Sequence, residues 1–473
     1  MEYDRFIING TIVDTQSSYK ADIAIKNGKI VAVVEPGTLI SAGDIKNEGK
    51  CIDADGKLVL PGLIEPHMHV AAPFSGTIDI LDFVSAGEVG AFGGVTSFMD
   101  FSTTTSDTEV LTAVANRKEE MAKGALDYGV HAKFITASES DIASIEQLVN
   151  GGVPSFKMFT TYEGVKIKDE DILEILTEAK KQGALCGFHA ECDAISRYNR
   201  KKFTDEGRVE CKDFPDWKPS LCEAEAVYRI LCFAEFLDVS VYFYHLSTKE
   251  SVEMVRAAKA RGVKVYAETC CHYLALTRDC CSTEYGINYL MSPPLRTKED
   301  QEALWRAIAD GTIDIVSSDN EVFMMSQKKA QYRKDGKENV FNVVNGTPGL
   351  EERFGILMKA CCDKRITINK FVEIACANPA KVFGCYPQKG CIQPGSDADI
   401  VIVDPKKEWK LCKENLHYKD DKNVKLDYDL YDHITSPGKP IITIRRGDIL
   451  MEDETYKGIP NSGQFIHRCI AEK

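Results

Sequence analysis

From residue 58 to about residue 390 the chain repeats one rhythm of apolar strand, polar loop and amphipathic helix, and this rhythm constrains the fold more than any other feature. Eight strands are expected: Leu58 to Glu65, Val95 to Phe101, Val130 to Thr136, Ser155 to Thr160, Leu185 to Ala190, Val241 to His245, Val263 to Glu268 and Ile313 to Ser317. Helical patterns separate most of them, as in Asp107 to Lys123, Asp169 to Gln182, Leu221 to Leu237, Lys249 to Arg261 and Glu299 to Ala309. Eight parallel strands with crossover helices make an α/β fold, the (β/α)8 TIM barrel, whose chemistry collects at the carboxyl ends of the strands.

The flanks read differently. Short β-rich runs, Phe6 to Ile8, Ile12-Val13, Ile23 to Ile25 and Ile30 to Val33, alternate with Asn9-Gly10, Asn27-Gly28 and Asp55-Gly56, each expected as a type I′ hairpin turn. Strand patterns return at Asp399 to Asp404 and Ile441 to Ile444. Neither end offers enough strands for a stable sheet of its own. The expected organisation is therefore a small β-sandwich domain assembled from residues 1–57 and 391–473 around a catalytic barrel spanning 58–390. The charged stretch Lys328 to Asn339 is expected to be a solvated loop after strand eight.

Composition narrows the partners. Lys and Arg number 58 against 72 Asp and Glu, a net charge of −14, which repels phosphate backbones and anionic lipid. A small, neutral or mildly polar molecule is expected, with no nucleic acid and no membrane. Met1 to Arg5 lack the basic start of a leader, and no apolar run approaches the ~18 residues of a span, so a cytoplasmic protein is expected. Seventeen cysteines, an odd number, include the adjacent pairs Cys270-Cys271, Cys280-Cys281 and Cys361-Cys362, which lack the spacing of a zinc ribbon. They are expected to be reduced, small apolar side chains.

His67 and His69 close strand one, two residues apart, so both imidazoles share one face of an extended chain. That suits chelation, and it also suits a pair of structural histidines. His189 and His245 sit at equivalent rim points, so four of the nine histidines fall on strand ends. Asp319 ends strand eight and can bind a metal, carry a proton or cap a helix. Lys157 lies inside apolar strand four, where an unpaired charge costs roughly several kcal/mol. Three readings stand: an outward-snorkelling stem, a Schiff-base amine, or an amine of lowered pKa that adds carbon dioxide to become a carbamate able to bridge two cations.

Jointly, Pro61-Gly62 to His67-x-His69, Phe156-Lys157-Met158-Phe159, His189-Ala190-Glu191, His245-Leu246-Ser247, Ser292 to Arg296, Ser318-Asp319 and Asn345-Gly346 resemble the dihydropyrimidinase and hydantoinase branch of the cyclic amidohydrolases. The resemblance extends to Asn378 to Gly384 and Gly395 to Asp399, near the far end of the chain. It implies that His67, His69, carbamylated Lys157 and Asp319 hold one zinc ion, and that Lys157, His189 and His245 hold a second. Carbon dioxide or bicarbonate would supply the carbamate.

The resemblance further implies Asp319 as the proton carrier and Tyr162 as the donor to the oxyanion. Ser292 and Asn345 would hold the two sides of the ring through main-chain groups, and Phe74 and Phe159 would form an apolar gate. The implied activity is opening of 5,6-dihydropyrimidines or 5-substituted hydantoins to N-carbamoyl amino acids, as in pyrimidine degradation. The implied assembly is a homotetramer or homodimer, with the stretch after about residue 405 as the assembling tail. Two alternatives accompany it: hydrolysis of another cyclic amide such as allantoin or a cyclic imide, and a non-catalytic dihydropyrimidinase-like scaffold. The scaffolds have lost ligand positions, whereas this chain fills all six. Dihydroorotases resemble HxHxR at strand one; residue 71 here is Ala, which disfavours a carboxylated substrate. Cys192, Cys271 and His272 depart from the usual Asn and Pro-Gln and are expected to shift substrate preference, while His272 has no counterpart in the family site.

Overall fold

In the computed structural model, which describes residues 3–41, 50–74, 76–334 and 336–470, eight parallel strands follow one another in sequence order around one sheet. They are Leu63–Glu65, Val95–Phe101, Asp127–Lys133, Ser155–Phe159, Leu185–His189, Val241–Phe243, Val265–Cys270 and Ile315–Ser317. The first and last meet through a parallel bridge between Met68 and Asn320, where the His69 amide donates to the Asn320 carbonyl at 2.8 Å. This contact closes the TIM barrel. All seven residues of Val95–Phe101 are buried because helices cover the outer face. Helix Asp169–Gln182 shows why they form: Ile172, Ile175, Leu176 and Ala179 make the buried stripe. Acidic residues fill its first turn, Lys180 and Lys181 its last, and Gly183 ends it in the left-handed region at φ 70°.

Both ends of the chain combine in a separate nine-stranded mixed sheet. Ile400–Asp404 pairs antiparallel with Leu58–Pro61, which in turn lies parallel to Arg5–Val13. Ile7, Ile12, Ile23, Val59, Ile400 and Ile444 share its core. The run expected as one barrel strand is therefore divided at Gly62: Leu58–Pro61 belongs to the mixed sheet and Leu63–Glu65 to the barrel. A Cβ on Gly62 would lie 2.2 Å from Thr96 Oγ1, so the chain crosses between sheets where no side chain fits.

Other local expectations also need correction. Asn27-Gly28 turns a hairpin, at φ 51° and 73°. Asn9-Gly10 instead forms a bulge within Arg5–Val13, because a positive φ serves a bulge as readily as a turn. Asp55-Gly56 links two strands that both run parallel to Arg5–Val13, so it closes no hairpin. The stretch Lys328 to Asn339 is not a solvated loop. It contains the end of helix Met325–Tyr332 and a two-stranded hairpin, and Lys328 is fully buried, donating to the carbonyls of Gly346 (2.9 Å) and Asn288 (3.3 Å).

All seventeen cysteines are free; Cys270 and Cys271 are buried, whereas Cys362 is exposed. Among the described residues, no helix is long and apolar enough to cross a membrane. Where the mixed sheet meets the amino-terminal end of the barrel, buried Lys389 contacts Asp127 (2.6 Å), Asp399 (2.7 Å) and Asp397 (3.0 Å). Arg446 adds a contact to Asp127 at 3.0 Å.

Candidate metal centre

The strand ends at the opposite face bring His67, His69, Lys157, His189, His245 and Asp319 to one cavity, which Tyr162, Ser292, Asn345 and Phe159 also line. Ligating atoms of His67, His245 and Asp319 lie within 4.8 Å of one another. His67 Nε2 is 3.0 Å and His69 Nε2 3.4 Å from Asp319 Oδ1, and the His189 and His245 rings are 4.4 Å apart. His245 and Asp319 sit at φ 39° and 47° and Tyr162 at 75°, left-handed conformations that cost non-glycine residues energy and cluster where function requires them. Phe74 falls in a short hairpin strand, with its side chain outside the described ones.

A second layer orients these groups. Glu268 accepts from His67 Nδ1 (2.7 Å), from the His245 amide (3.1 Å) and from the Tyr242 hydroxyl (2.6 Å). His67 therefore presents Nε2 to the cavity. Glu191 pairs with His189 Nε2 at 2.7 Å, which leaves Nδ1 as the nitrogen able to ligate. A carboxylate behind each imidazole is the usual support of a metal-bound histidine. Glu65 accepts from the amides of His67 and Ser318 beneath the site. Lys218, fully buried, donates to Glu191 (2.5 Å), Ser292 Oγ (2.7 Å) and Tyr162 Oη (3.1 Å), tying three walls of the cavity together.

Sequence reasoning missed Glu65, Glu268 and Lys218. Glu268 closes the expected strand seven and was readable as a rim carboxylate, but nothing marks Lys218 among the other lysines of the chain.

The electrostatics favour added positive charge. Burial opposes the charge on Asp319, but His67, His69 and His245 outweigh it and hold the carboxyl well below its usual range. Burial also opposes a charged His67, yet Asp319 and Glu268 carry its pKa up to about 9. A divalent ion would satisfy the same field in place of that proton. Burial lowers His189 to about 4 and His245 well below the ordinary imidazole range, leaving neutral rings with lone pairs to donate.

Burial pulls Lys157 down to about 7 despite Asp319 and Glu268. Its Nζ lies 3.6 Å from the centroid of the Tyr244 ring, and no carboxylate forms an ion pair with it among the described residues. Gly187, beside it on strand five, leaves room for that tyrosine: a Cβ there would lie 2.3 Å from the Tyr244 ring.

Buried polar atoms without hydrogen-bond partners lie on this cavity's wall at Asn345 Oδ1 and Thr347 Oγ1. Such atoms are rare in folded proteins unless a ligand completes them. The imidazole, carboxylate and amine set suits a divalent ion of the zinc type, so the residues present fit such a group.

The amidohydrolase family model matches residues 58–450. A D-hydantoinase of Rhizobium radiobacter is 37% identical over 470 residues, covering 98% of this chain and 99% of that protein. The crystal structure of a dihydropyrimidinase from Brevibacillus agri superposes with a TM-score of 0.92 at 32% identity, covering 99% of each chain. An L-hydantoinase (dihydropyrimidinase) from Arthrobacter aurescens gives a TM-score of 0.87 at 26% identity, covering 98% of this chain and 100% of that one.

Proposed function

The chain belongs to the amidohydrolase family, and on that footing we propose that His67, His69, Lys157, His189, His245 and Asp319 form a two-cation centre that works on a cyclic amide. The protein is a hydrolase of the hydantoinase and dihydropyrimidinase group: it hydrolyses the cyclic amides of hydantoins or dihydropyrimidines, small molecules, at a divalent metal centre. The observation that carries the site assignment is the pairing of an inward-facing histidine with a buried carboxylate behind it, twice over, at His67 with Glu268 and at His189 with Glu191. A scaffold without turnover needs neither these second-layer carboxylates nor six intact ligand positions.

His67, His69 and Asp319 would hold one ion, His189 and His245 the second, with Lys157 between them; zinc suits this set. The neutral Lys157 amine adds to the carbon of carbon dioxide and releases one proton, which yields an anionic carbamate where the ammonium would have been a misplaced cation. When bound, the ions supply a water of lowered pKa and withdraw charge from the amide carbonyl.

Asp319 would accept a proton from the attacking water as its oxygen bonds to the amide carbon, and return that proton to the ring nitrogen as the carbon–nitrogen bond breaks. Tyr162 donates its hydroxyl proton toward the developing oxyanion, with Lys218 holding Oη at 3.1 Å from the other side. Ser292 and Asn345 border the ring, and Phe159, whose ring stacks 5.4 Å from that of His189, belongs to the gate with Phe74. The product is an N-carbamoyl amino acid. Assembly into a homotetramer or homodimer in the cytoplasm belongs to the same reading; Leu221, Tyr228 and Phe236, exposed at 67%, 59% and 80% along helix Ser220–Leu237, support self-association.

Metal content per chain, on protein expressed with zinc and bicarbonate, tests this reading together with the absorbance loss of dihydrouracil and of a 5-substituted hydantoin. About two ions per chain with ring opening is the expected result. Ring opening without metal overturns the centre, and two ions without opening of either ring overturns the substrate assignment in favour of another cyclic amide.

A further inference from the structure

We propose that the cavity selects rings whose exocyclic substituent carries a carboxylate, and that Lys133 binds that carboxylate. This inference rests on the ring-opening reading above and adds a substrate class to it.

Lys133 is the last residue of the third barrel strand, partly buried, and it lines the same cavity as His67, Lys157 and Asp319. Its ammonium has no hydrogen bond or ion pair among the described residues, which sets it apart from the other lysines inside the molecule. Lys218 has Glu191, Lys389 has three aspartates and Lys328 has two carbonyls. Lys157 has the carbamate assigned to it.

The neighbouring cation does not help Lys133. Arg117 also lines the cavity, but its guanidinium is committed to Asp100 (2.7 Å), Glu120 (2.7 Å) and the Val70 carbonyl (2.6 Å). Burial and the Arg117 charge pull Lys133 down to about 8, and no carboxylate pairs with it among the described residues. A half-buried ammonium without a partner is costly, and an anionic ligand group removes that cost.

The cavity is also polarised across its width. Asp319 and Glu321 stand on the eighth-strand side, whereas on the second- and third-strand side the one lining acid, Asp100, is paired with Arg117 and leaves Lys133 beside Ser102 and Thr103. A ring bordered by Asp319, Ser292 and Asn345 would have the wall that carries Lys133 available to its substituent.

The test uses metal-loaded full-length enzyme and compares hydantoin-5-propionate with hydantoin-5-propionamide, which matches its shape without its charge. Dihydrouracil, with and without a ring carboxylate at carbon 6, distinguishes a directly attached carboxylate from one on a flexible arm. At least one acid should exceed its uncharged counterpart in kcat/KM by about tenfold or more. Lys133→Met should reduce that ratio to near one, mainly through KM, and Lys133→Arg should keep most of it. Because each ratio is taken within one preparation, it does not depend on how much of a variant folds. Equal or better turnover of the uncharged rings, or an unchanged ratio in Lys133→Met, overturns the inference. If plain dihydrouracil is opened while no acid is preferred, only this inference falls; if no ring is opened, the ring-opening reading falls with it.

Discussion

At the amino-terminal end of the barrel Lys389 is enclosed by Asp127, Asp397 and Asp399, with Arg446 closing the network, whereas at the carboxyl end Lys157 and Lys133 line a cavity and neither has an ion-pair partner among the described residues. One strand, Asp127–Lys133, carries a residue of each kind at its two ends. Both clusters are long-range and largely buried, so burial alone does not separate them. What separates them is completion: the network at the base satisfies its own charges and holds two sheets together, and the rim leaves nitrogen lone pairs and cations for something the chain does not supply. A buried charge closed on itself is structural, and one left open is functional.

Two substitutions break this comparison if it is wrong. Asp319→Asn should lower kcat by about 10²- to 10⁴-fold while the protein folds with little change in thermal midpoint, since the residue acts on a proton at the open rim; kcat near the wild-type value would remove Asp319 from the chemistry. Lys389→Met should do the reverse. Breaking the closed network leaves buried aspartates uncompensated and costs about 3–5 kcal/mol of stability, read by denaturant unfolding, with kcat per folded molecule retained. A variant as stable as the wild type would show that the base network contributes nothing net.

The same distinction explains what the sequence disclosed. The histidine pairs, Lys157 and Asp319 were legible because their residue types are conspicuous at the ends of strands that the apolar rhythm had already located. Their supports were not. Glu268 lies 201 residues from His67, and Lys218 lies 74 from Ser292, so only closure of the barrel reveals those contacts. Local signals failed where one backbone conformation serves two purposes, as at Asn9-Gly10, or where burial depends on distant acceptors, as at Lys328 with the carbonyls of Asn288 and Gly346.

A closed pair within the rim sharpens the comparison. Burial opposes the charge on Glu191, but Lys218 and His189 outweigh it and hold its pKa down to about 2. The folded value lies below the unfolded value near 4.5, so this group contributes stability that is present above about 4.5 and lost as pH falls from there toward 2. The contribution is at most about 3 kcal/mol. Unfolding measured between about pH 5 and 2.5 should show a shallower acid decline in the double variant Glu191→Gln/Lys218→Met than in the wild type. Equal slopes would mean that the pair carries no net linkage.

The finest distinction lies at Glu268, which is internally satisfied like the base yet serves the open site. It accepts from Tyr242, the His245 amide and His67 Nδ1 at once, so a glutamine keeps the shape but withdraws the charge that makes His67 Nε2 a strong donor. Glu268→Gln should therefore weaken metal binding by about 10- to 100-fold, read as the chelator concentration that halves activity, with kcat close to normal once metal is saturating. If Glu268 instead belonged to a purely structural network like that of Lys389, the chelator midpoint would stay where it is and the thermal midpoint would fall. The two readouts move in opposite patterns, so one variant decides whether the layer behind the histidines supports the fold or tunes the ligands.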